Sequence, residues 1–329
     1  MRKNFIILLI IIAVIFVAIV YYYGNLYLAS EFYSMNTIID AKIWGFNRYS
    51  TLIEIEKEIN KLNMLFDDFN PQSDISKINS NAGVKSVSVS DETIDILLKS
   101  KEMYRKTKGT FNIAIAPVLK LWGFKDAHYR VPGEEEIKSV LSLVNLDDLI
   151  ISKNTVFLKK KGERIDLGGI AKGYALDRVK EICEKNKVKK AIINMGGNVF
   201  VYSRNPDEVF RVGIRHPRSS SIIAVVKVKS GTFISTSGDY ERYFEYNGKR
   251  YCHIIDPSTG YPADKLLSAT CITDTGYVGD ALSTALFVLG KEEALELTQS
   301  LKYATVVVTP DLNVFYTDNL RGVITIENR

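Results

Sequence analysis

The stretch Asp166-Leu-Gly-Gly-Ile-Ala-Lys-Gly-Tyr-Ala-Leu-Asp177 organises the reading of the whole chain. It begins at the end of Arg164 to Leu167, which alternates like a strand, and opens a segment with helical spacing from Ile170 to about Asn186. Paired glycines at a strand-to-helix turn let backbone N–H groups approach a ligand with no Cβ in the way. The start of the helix behind them favours an anion. A phosphate cradle and a plain tight turn both satisfy this pattern, and the motif alone does not separate them.

Outward from this turn, the chain has the bulk of a globular protein. Its 329 residues suffice for one large domain or two modest ones, and 46% apolar with 25% charged residues is an ordinary balance. A net charge of +5 is too mild to argue for nucleic acid. Lysine clusters at 159–161 and 185–190 read as solvated surface. Cys183, Cys252 and Cys271 lack metal-like spacing and have apolar neighbours, so buried free thiols are expected.

The N-terminus is a different kind of segment. Phe5 to Tyr23 carries no charge and no strongly polar side chain, and its nineteen residues would span about 28 Å as a helix. Tyr21, Tyr22 and Tyr23 end it with aromatic rings suited to an interface. Arg2 and Lys3 precede it, and no Lys or Arg follows before Lys42, which predicts a cytoplasmic N-terminus with the rest outside. The run is longer than a typical signal core and shows no clear small-x-small cleavage site, which favours an uncleaved anchor. No cysteine stands near it, which excludes a lipid-anchored N-terminus. Residues 1–23 are thus expected to anchor, 24–34 to form a tether, and 35–329 to form one catalytic domain.

Within that domain, strands are expected at Met35 to Phe46, Val84 to Val89, Thr155 to Lys159, Arg164 to Leu167, Ala191 to Asn194, Val209 to Ile214, Ile222 to Val228, Thr232 to Ser237, Tyr240 to Tyr246, Leu267 to Thr273, Thr305 to Val308 and Val314 to Tyr316. Helices are expected at Leu52 to Phe66, from an Asp91 cap to about Thr107, at Gly133 to Leu143, at Ile170 to Asn186, at Tyr277 to Leu289 and at Glu292 to Leu301. Runs of strands interleaved with helices predict an α+β fold of mixed sheets with packed helices.

Four further segments carry chemistry. Met195-Gly196-Gly197-Asn198 is a second glycine pair at a strand end, read either as tight packing or as a second backbone approach to one ligand. Ser235-Thr-Ser-Gly238 offers hydroxyls to a phosphate or simply to a turn. His253 precedes Asp256-Pro-Ser-Thr-Gly260; it could serve as a general base near neutral pH or merely bond backbone. Asp280 and Thr284 are four apart on a predicted helix and so share a face. One carboxylate and one hydroxyl suit Mg²⁺, although Asp280 would also serve as an N-cap. Together these segments point to phosphoryl chemistry on a nucleotide.

Asp166-Leu-Gly-Gly-Ile-Ala-Lys-Gly-Tyr174, Ile193-Asn-Met-Gly-Gly197, Ser235-Thr-Ser-Gly238, His253-Ile-Ile-Asp-Pro-Ser-Thr-Gly260 and Asp280-Ala-Leu-Ser-Thr284 occur in one order, and in this the chain resembles the FAD:protein FMN transferases of the ApbE family. The resemblance runs from about Met35 to the C-terminus. It implies an FAD-binding cleft, Mg²⁺ at the pyrophosphate, and transfer of FMN to a Thr or Ser hydroxyl of an acceptor protein with release of AMP. It assigns His253 as the base and Gly169 (through its carbonyl), Asp280 and Thr284 as metal ligands. It assigns Met35, Phe69, Thr110, Phe111, Asn112, Asp166, Lys172 and Ile255 to the flavin-nucleotide site. The family often has Met-Gly-Thr where this chain has Met35-Asn36-Thr37, many members carry Asp at the place of Asn112, and many are lipoproteins.

With the apolar N-terminal run and its flanking charges, this reading predicts a cell-membrane enzyme held by one span, with an extracytoplasmic catalytic domain. Subunits of membrane redox complexes are plausible acceptors, and nucleic acid is not a partner. An FAD pyrophosphatase, with water in place of the acceptor, would use the same site. A non-enzymatic FAD-binding protein is the third reading; intact His253, Asp280 and Thr284 weigh against it.

Overall fold

A computed structural model describes residues 2–327. Met1, residues 328–329 and the side chains of residues 2–4 lie outside the described residues, so the expected anchor and catalytic segments are described short of their ends, and the Arg2–Lys3 charge pair is not described. One eight-stranded sheet forms the frame. Its strands, in spatial order, are Tyr27–Ser34, Thr37–Trp44, Lys190–Met195, Asn198–Ser203, Thr232–Gly238, Ser268–Thr273, Ala304–Val308 and Val314–Tyr316. Spatial order equals chain order and every neighbouring pair is antiparallel. Apart from helix Arg2–Asn25, which precedes the first strand, and the segment after Tyr316, which adds strand Ile324–Ile326 to one of the three smaller sheets, the α-helices and smaller sheets are insertions between consecutive strands of this meander.

Strand alternation divides the core into two layers. Phe200, Phe233 and Val307 point to one face, where they pack with helix residues such as Ile55, Ile59, Leu282 and Leu286. Their neighbours Val201, Ile234, Val306 and Val308 point to the other face, against Phe210, Ala224 and Val226 of a three-stranded sheet. The mixed α+β architecture expected from the sequence is thus present, as a sheet sandwiched between helices and a second sheet. Phe200 and Phe233 stack at 4.6 Å in adjacent strands and are fully buried. Burial of each such ring stabilises the fold by about 1.5–3 kcal/mol.

Several sequence expectations need correction. Residues 24–34 are not a tether: helix Arg2–Asn25 is followed by Leu26 alone before strand Tyr27–Ser34 begins. That strand pairs over its whole length, from Tyr27↔Trp44 to Ser34↔Thr37, and Leu28 and Phe32 pack on the core. Its Leu28-x-Ser30-x-Phe32 alternation was the signal, weakened by a serine on the inward face.

Arg164–Leu167 is extended but belongs to no sheet. The buried side chain of Asn79 takes the place of a strand neighbour: its Oδ1 accepts from Ile165 N at 2.7 Å and its Nδ2 donates to Ile165 O at 3.0 Å. Val84–Val89 shrinks to the short strand Val87–Ser88. Helix Asp91–Lys106 is capped by Ser90, not Asp91; Ser90 Oγ accepts from Thr93 N at 3.3 Å. The predicted helices near residues 52–66, 170–186, 277–289 and 292–301 are present as Arg48–Phe66, Ala171–Lys185, Gly276–Leu289 and Lys291–Ser300. All three cysteines are free and buried.

The N-terminal helix is exposed from Phe5 to Tyr23. From Phe5 to Asn25 it is long and apolar enough to cross a membrane, and a signal sequence shares that property.

Candidate active site

The turns at one end of the large sheet open into a cleft of about 380 Å³. Met35, Asn36 and Thr37 of the first hairpin, Gly196 of the second and Thr236 to Gly238 of the fifth strand form one wall. Helix Ala171–Lys185 and the turn before it form another. The volume falls within the usual range of small-molecule sites. His253, Met35, Phe69, Thr110, Phe111, Asn112, Asp166, Lys172, Ile255, Gly169, Asp280 and Thr284, scattered over the sequence, all line it.

Helices Ala171–Lys185 and Gly276–Leu289 set the geometry of one side. They touch backbone to backbone: a Cβ on Gly173 would lie 2.2 Å from the Gly276 carbonyl oxygen. Each helix then completes the other's first turn, whose N–H groups have no partner within their own helix. Asp280 Oδ2 accepts from Gly173 N at 2.9 Å, and Asp177 accepts from Gly276 N at 2.6 Å and from Tyr277 N at 2.9 Å. Burial pushes the Asp177 carboxyl up to about 6, against the downward pull of the two N–H groups. Asp280 is therefore no N-cap of its own helix. It sits in the second turn, buried, with its carboxylate directed at the neighbouring helix start.

Thr284 lies one turn further along. Its hydroxyl is 3.3 Å from Ser237 Oγ, which is in turn 2.9 Å from Ser283 Oγ. A Cβ on Gly169 would come within 3.1 Å of Thr284 Oγ1 and 3.3 Å of Phe111. The Gly168–Gly169 pair is thus required for close approach, since neither residue has a left-handed φ. Gly169, Asp280 and Thr284 together offer a carbonyl, a carboxylate and a hydroxyl. This all-oxygen set suits a hard cation that keeps water and substrate oxygens as its remaining ligands. Among the described residues no group of three or more His, Cys, Asp or Glu side chains forms a denser cation site.

His253, which lines the same cleft, is half-buried. Its Nδ1 lies 3.1 Å from the Arg242 carbonyl, which can only accept, so Nδ1 carries the proton and Nε2 keeps its lone pair. Burial, with the charges of Arg242 and Lys172, lowers its pKa to about 3. The ring is therefore neutral at physiological pH, with its Nε2 lone pair unprotonated. Lys172 Nζ reaches the Gly168 carbonyl at 3.3 Å.

Some cleft residues were not singled out in the sequence. Lys125 bridges Asp68, at 2.8 Å, and Asp166, and lies 5.1 Å from the centre of the Phe69 ring. Burial alone would raise Asp166, but the Lys125 ammonium and the Gly168 N–H bring it down to about 2. Burial and the neighbouring Asp166 charge instead raise Asp68. Lys125 follows an apolar run and Asp68 precedes a turn, and neither has a motif to mark it. Arg242 and Ser237 also line the cleft. Of the Ser235–Gly238 motif, Ser235 serves packing beside Gly279, and Ser237 faces the site.

The sequence pattern of the ApbE family matches residues 35–308. The chain belongs to the ApbE family. An FAD:protein FMN transferase of Klebsiella pneumoniae is 37% identical over 227 residues, 68% of this chain and 70% of that one. One from Escherichia coli K12 is 30% identical over 297 residues, 86% of this chain and 84% of that one. The solved ApbE protein of Thermotoga maritima superposes with a TM-score of 0.85 at 30% identity, covering 91% of this chain and 99% of its own. The apo flavinyl transferase ApbE of Pseudomonas stutzeri superposes with a TM-score of 0.81 at 26% identity, covering 91% and 97%.

Two departures from common ApbE patterns are accommodated locally. Met35 and Asn36 have φ of +51° and +58° and form a two-residue hairpin loop, a conformation asparagine tolerates better than most side chains. Asn112 Oδ1 accepts from Ala114 N at 2.9 Å, a cap that needs only an oxygen acceptor. The glycine pair Gly196–Gly197, with φ of +55° and +91°, turns the second hairpin against Thr37, so packing accounts for it and only Gly196 reaches the cleft.

Proposed function

We propose that this chain is an FAD:protein FMN transferase that moves FMN from FAD onto a Ser or Thr hydroxyl of an acceptor protein. The observation that carries this reading is that one cleft is lined by a neutral imidazole, whose Nε2 keeps its lone pair, and by Gly169, Asp280 and Thr284 with their oxygens. In the proposed reaction the acceptor hydroxyl oxygen bonds to the FMN-side phosphorus of FAD. The bond from that phosphorus to the bridging oxygen breaks, and AMP leaves with that oxygen. His253 Nε2 takes the hydroxyl proton.

Gly169, Asp280 and Thr284 would hold Mg²⁺, which when bound neutralises charge on the pyrophosphate. Lys172 and Arg242 face the cleft and can meet phosphate oxygens as the leaving group forms. Phe69 is 55% exposed at the rim and offers a face on which a ring can stack. Met35, Thr110, Phe111, Asn112, Asp166 and Ile255 complete the proposed flavin-nucleotide site. Lys125 holds the Asp166 side of it in place.

We further propose that the N-terminal helix remains as a single span with Arg2 and Lys3 in the cytoplasm and the catalytic part outside. Acceptors would then be extracytoplasmic portions of membrane redox complexes. Incubation of the full chain with FAD, Mg²⁺ and such an acceptor tests the reaction. AMP released in step with protein-bound flavin supports transfer. Equal amounts of free FMN and AMP, with the acceptor unlabelled, support a pyrophosphatase instead.

A further inference from the structure

The base of the large sheet, where the N-terminal helix joins it, carries a surface the reaction does not use. The last turn of that helix is fastened to the domain. Arg48 Nη1 donates to the carbonyl oxygens of Gly45, at 3.0 Å, and Tyr23, at 3.5 Å, and Lys189 Nζ bonds Asn25 Oδ1. Gly24 meets the Phe46 ring. With Leu26 alone between helix and strand, these residues lie within a few ångströms of where the chain leaves the membrane, whatever the tilt of the helix.

At this base Phe46 is 61% and Tyr49 60% exposed. Around them stand Arg48, Lys187, Lys189 and Arg204, brought together by bonds from Lys189 N to Trp44 O and from Arg204 to Lys187 O. The adjacent Lys185 and Lys190 pair with Glu54 and Glu208. Among the described residues those four bases form no such ion pair. Exposed aromatic rings with unpaired bases suit the headgroup region of an anionic bilayer.

We propose that this base docks on the headgroups of an anionic leaflet, so that the catalytic domain stands upright on the membrane instead of swinging from it. The proposal rests on the reading of the N-terminal helix as a span. Its consequence is a fixed height for the cleft. Strand Thr37–Trp44 runs from the cleft to the base, and its eight residues span about 26 Å. An acceptor must present its hydroxyl roughly one strand length from the headgroups.

Backbone hydrogen exchange on the full chain tests this, in nanodiscs of phosphatidylcholine alone and of phosphatidylcholine with phosphatidylglycerol. Docking predicts exchange at 45–49 and 186–189 slowed several-fold in the phosphatidylglycerol discs only. A Lys187→Glu, Lys189→Glu, Arg204→Glu variant should lose that slowing while strand Ser268–Thr273 stays protected. If the variant unfolds, the comparison of the two lipids with the unmodified chain still decides. Equal exchange in both discs, with residues 5–23 protected, overturns docking and leaves the span standing. Free exchange across residues 5–23, or release of the chain from the discs, overturns the span and docking together.

Discussion

Asp177 and Asp280 stand on facing helices, and each closes the first turn of the other's helix: Asp177 takes the N–H groups of Gly276 and Tyr277, and Asp280 takes that of Gly173. The helix that carries Asp280 and Thr284, two of the three proposed metal ligands, is therefore held at its start by the last residue of the Asp166–Asp177 motif. Asp177→Ala should lower stability by about 1–3 kcal/mol, because two buried N–H groups lose their acceptor. Asp177→Asn, which keeps an oxygen, should recover part of it. Thermal unfolding of the two variants measures this, and an unchanged melting temperature for Asp177→Ala would show that the cap carries little.

Asp280 has both a structural and a proposed chemical duty, and two substitutions separate them. Asp280→Asn can keep the bond from Gly173 N through its amide oxygen while losing the charge. It should leave the fold intact and cut Mg²⁺-dependent turnover by about 10²-fold or more. Asp280→Ala should lose turnover and some stability as well. Full Mg²⁺-dependent activity in the Asn variant would remove Asp280 from the metal site.

His253 is lowered to about 3, so proton uptake by Nε2 should not weaken as pH falls through the ordinary histidine range. No limb near pH 6.5 is expected from His253, whereas Asp177, raised to about 6, can supply one of its own; a limb near 6.5 that persists in Asp177→Asn would contradict a neutral imidazole. The same shift acts on stability. The unfolded histidine gains a proton below about 6.5 and the folded one does not until about 3, so this residue's contribution falls as pH drops across that window. His253→Ala should slow transfer about 10²–10⁴-fold with a smaller change in FAD affinity. Equal losses in both, measured by steady-state rates and titration, would argue against a base.

Lys125 separates two half-buried carboxylates, Asp68 and Asp166. Asp166, held near 2, contributes stability that is present above its ordinary value of 3.8 and is lost as pH falls toward 2. Lys125→Met should destabilise the fold at neutral pH by about 1–3 kcal/mol, since it leaves two half-buried carboxylates facing each other without their shared cation. Acid should then help the variant, because protonating either carboxyl relieves their repulsion. Denaturant midpoints at neutral and mildly acidic pH check the reversal; parallel curves for both proteins would contradict it.

Much of the frame was legible because its strands and helices bury one face, and burial imposes a period on the sequence. Helix Arg48–Phe66 shows this through Ile55, Ile59 and Leu62. Where a side chain supplies what a strand neighbour usually does, the period misleads: Arg164–Leu167 reads as a strand, and Asn79 pairs with it instead. The strand Tyr27–Ser34 was hidden for another reason. Its exposed face carries Tyr27, Ala29, Glu31 and Tyr33, and its inward face mixes Ser30 and Ser34 with Leu28 and Phe32, so no clean apolar alternation marks it. In the cleft, residues inside glycine-, serine- or proline-marked turns could be found from sequence. Lys125 and Asp68 act through a contact made only in the folded chain and carry no local mark.

The intact mass of an acceptor protein after incubation with the full chain, FAD and Mg²⁺ tests the central claim most directly. The account predicts a gain of one FMN less one water, confined to a single Ser or Thr and absent when His253→Ala replaces the unmodified chain on the same timescale. An acceptor of unchanged mass, with FAD bound and no AMP released, would contradict it.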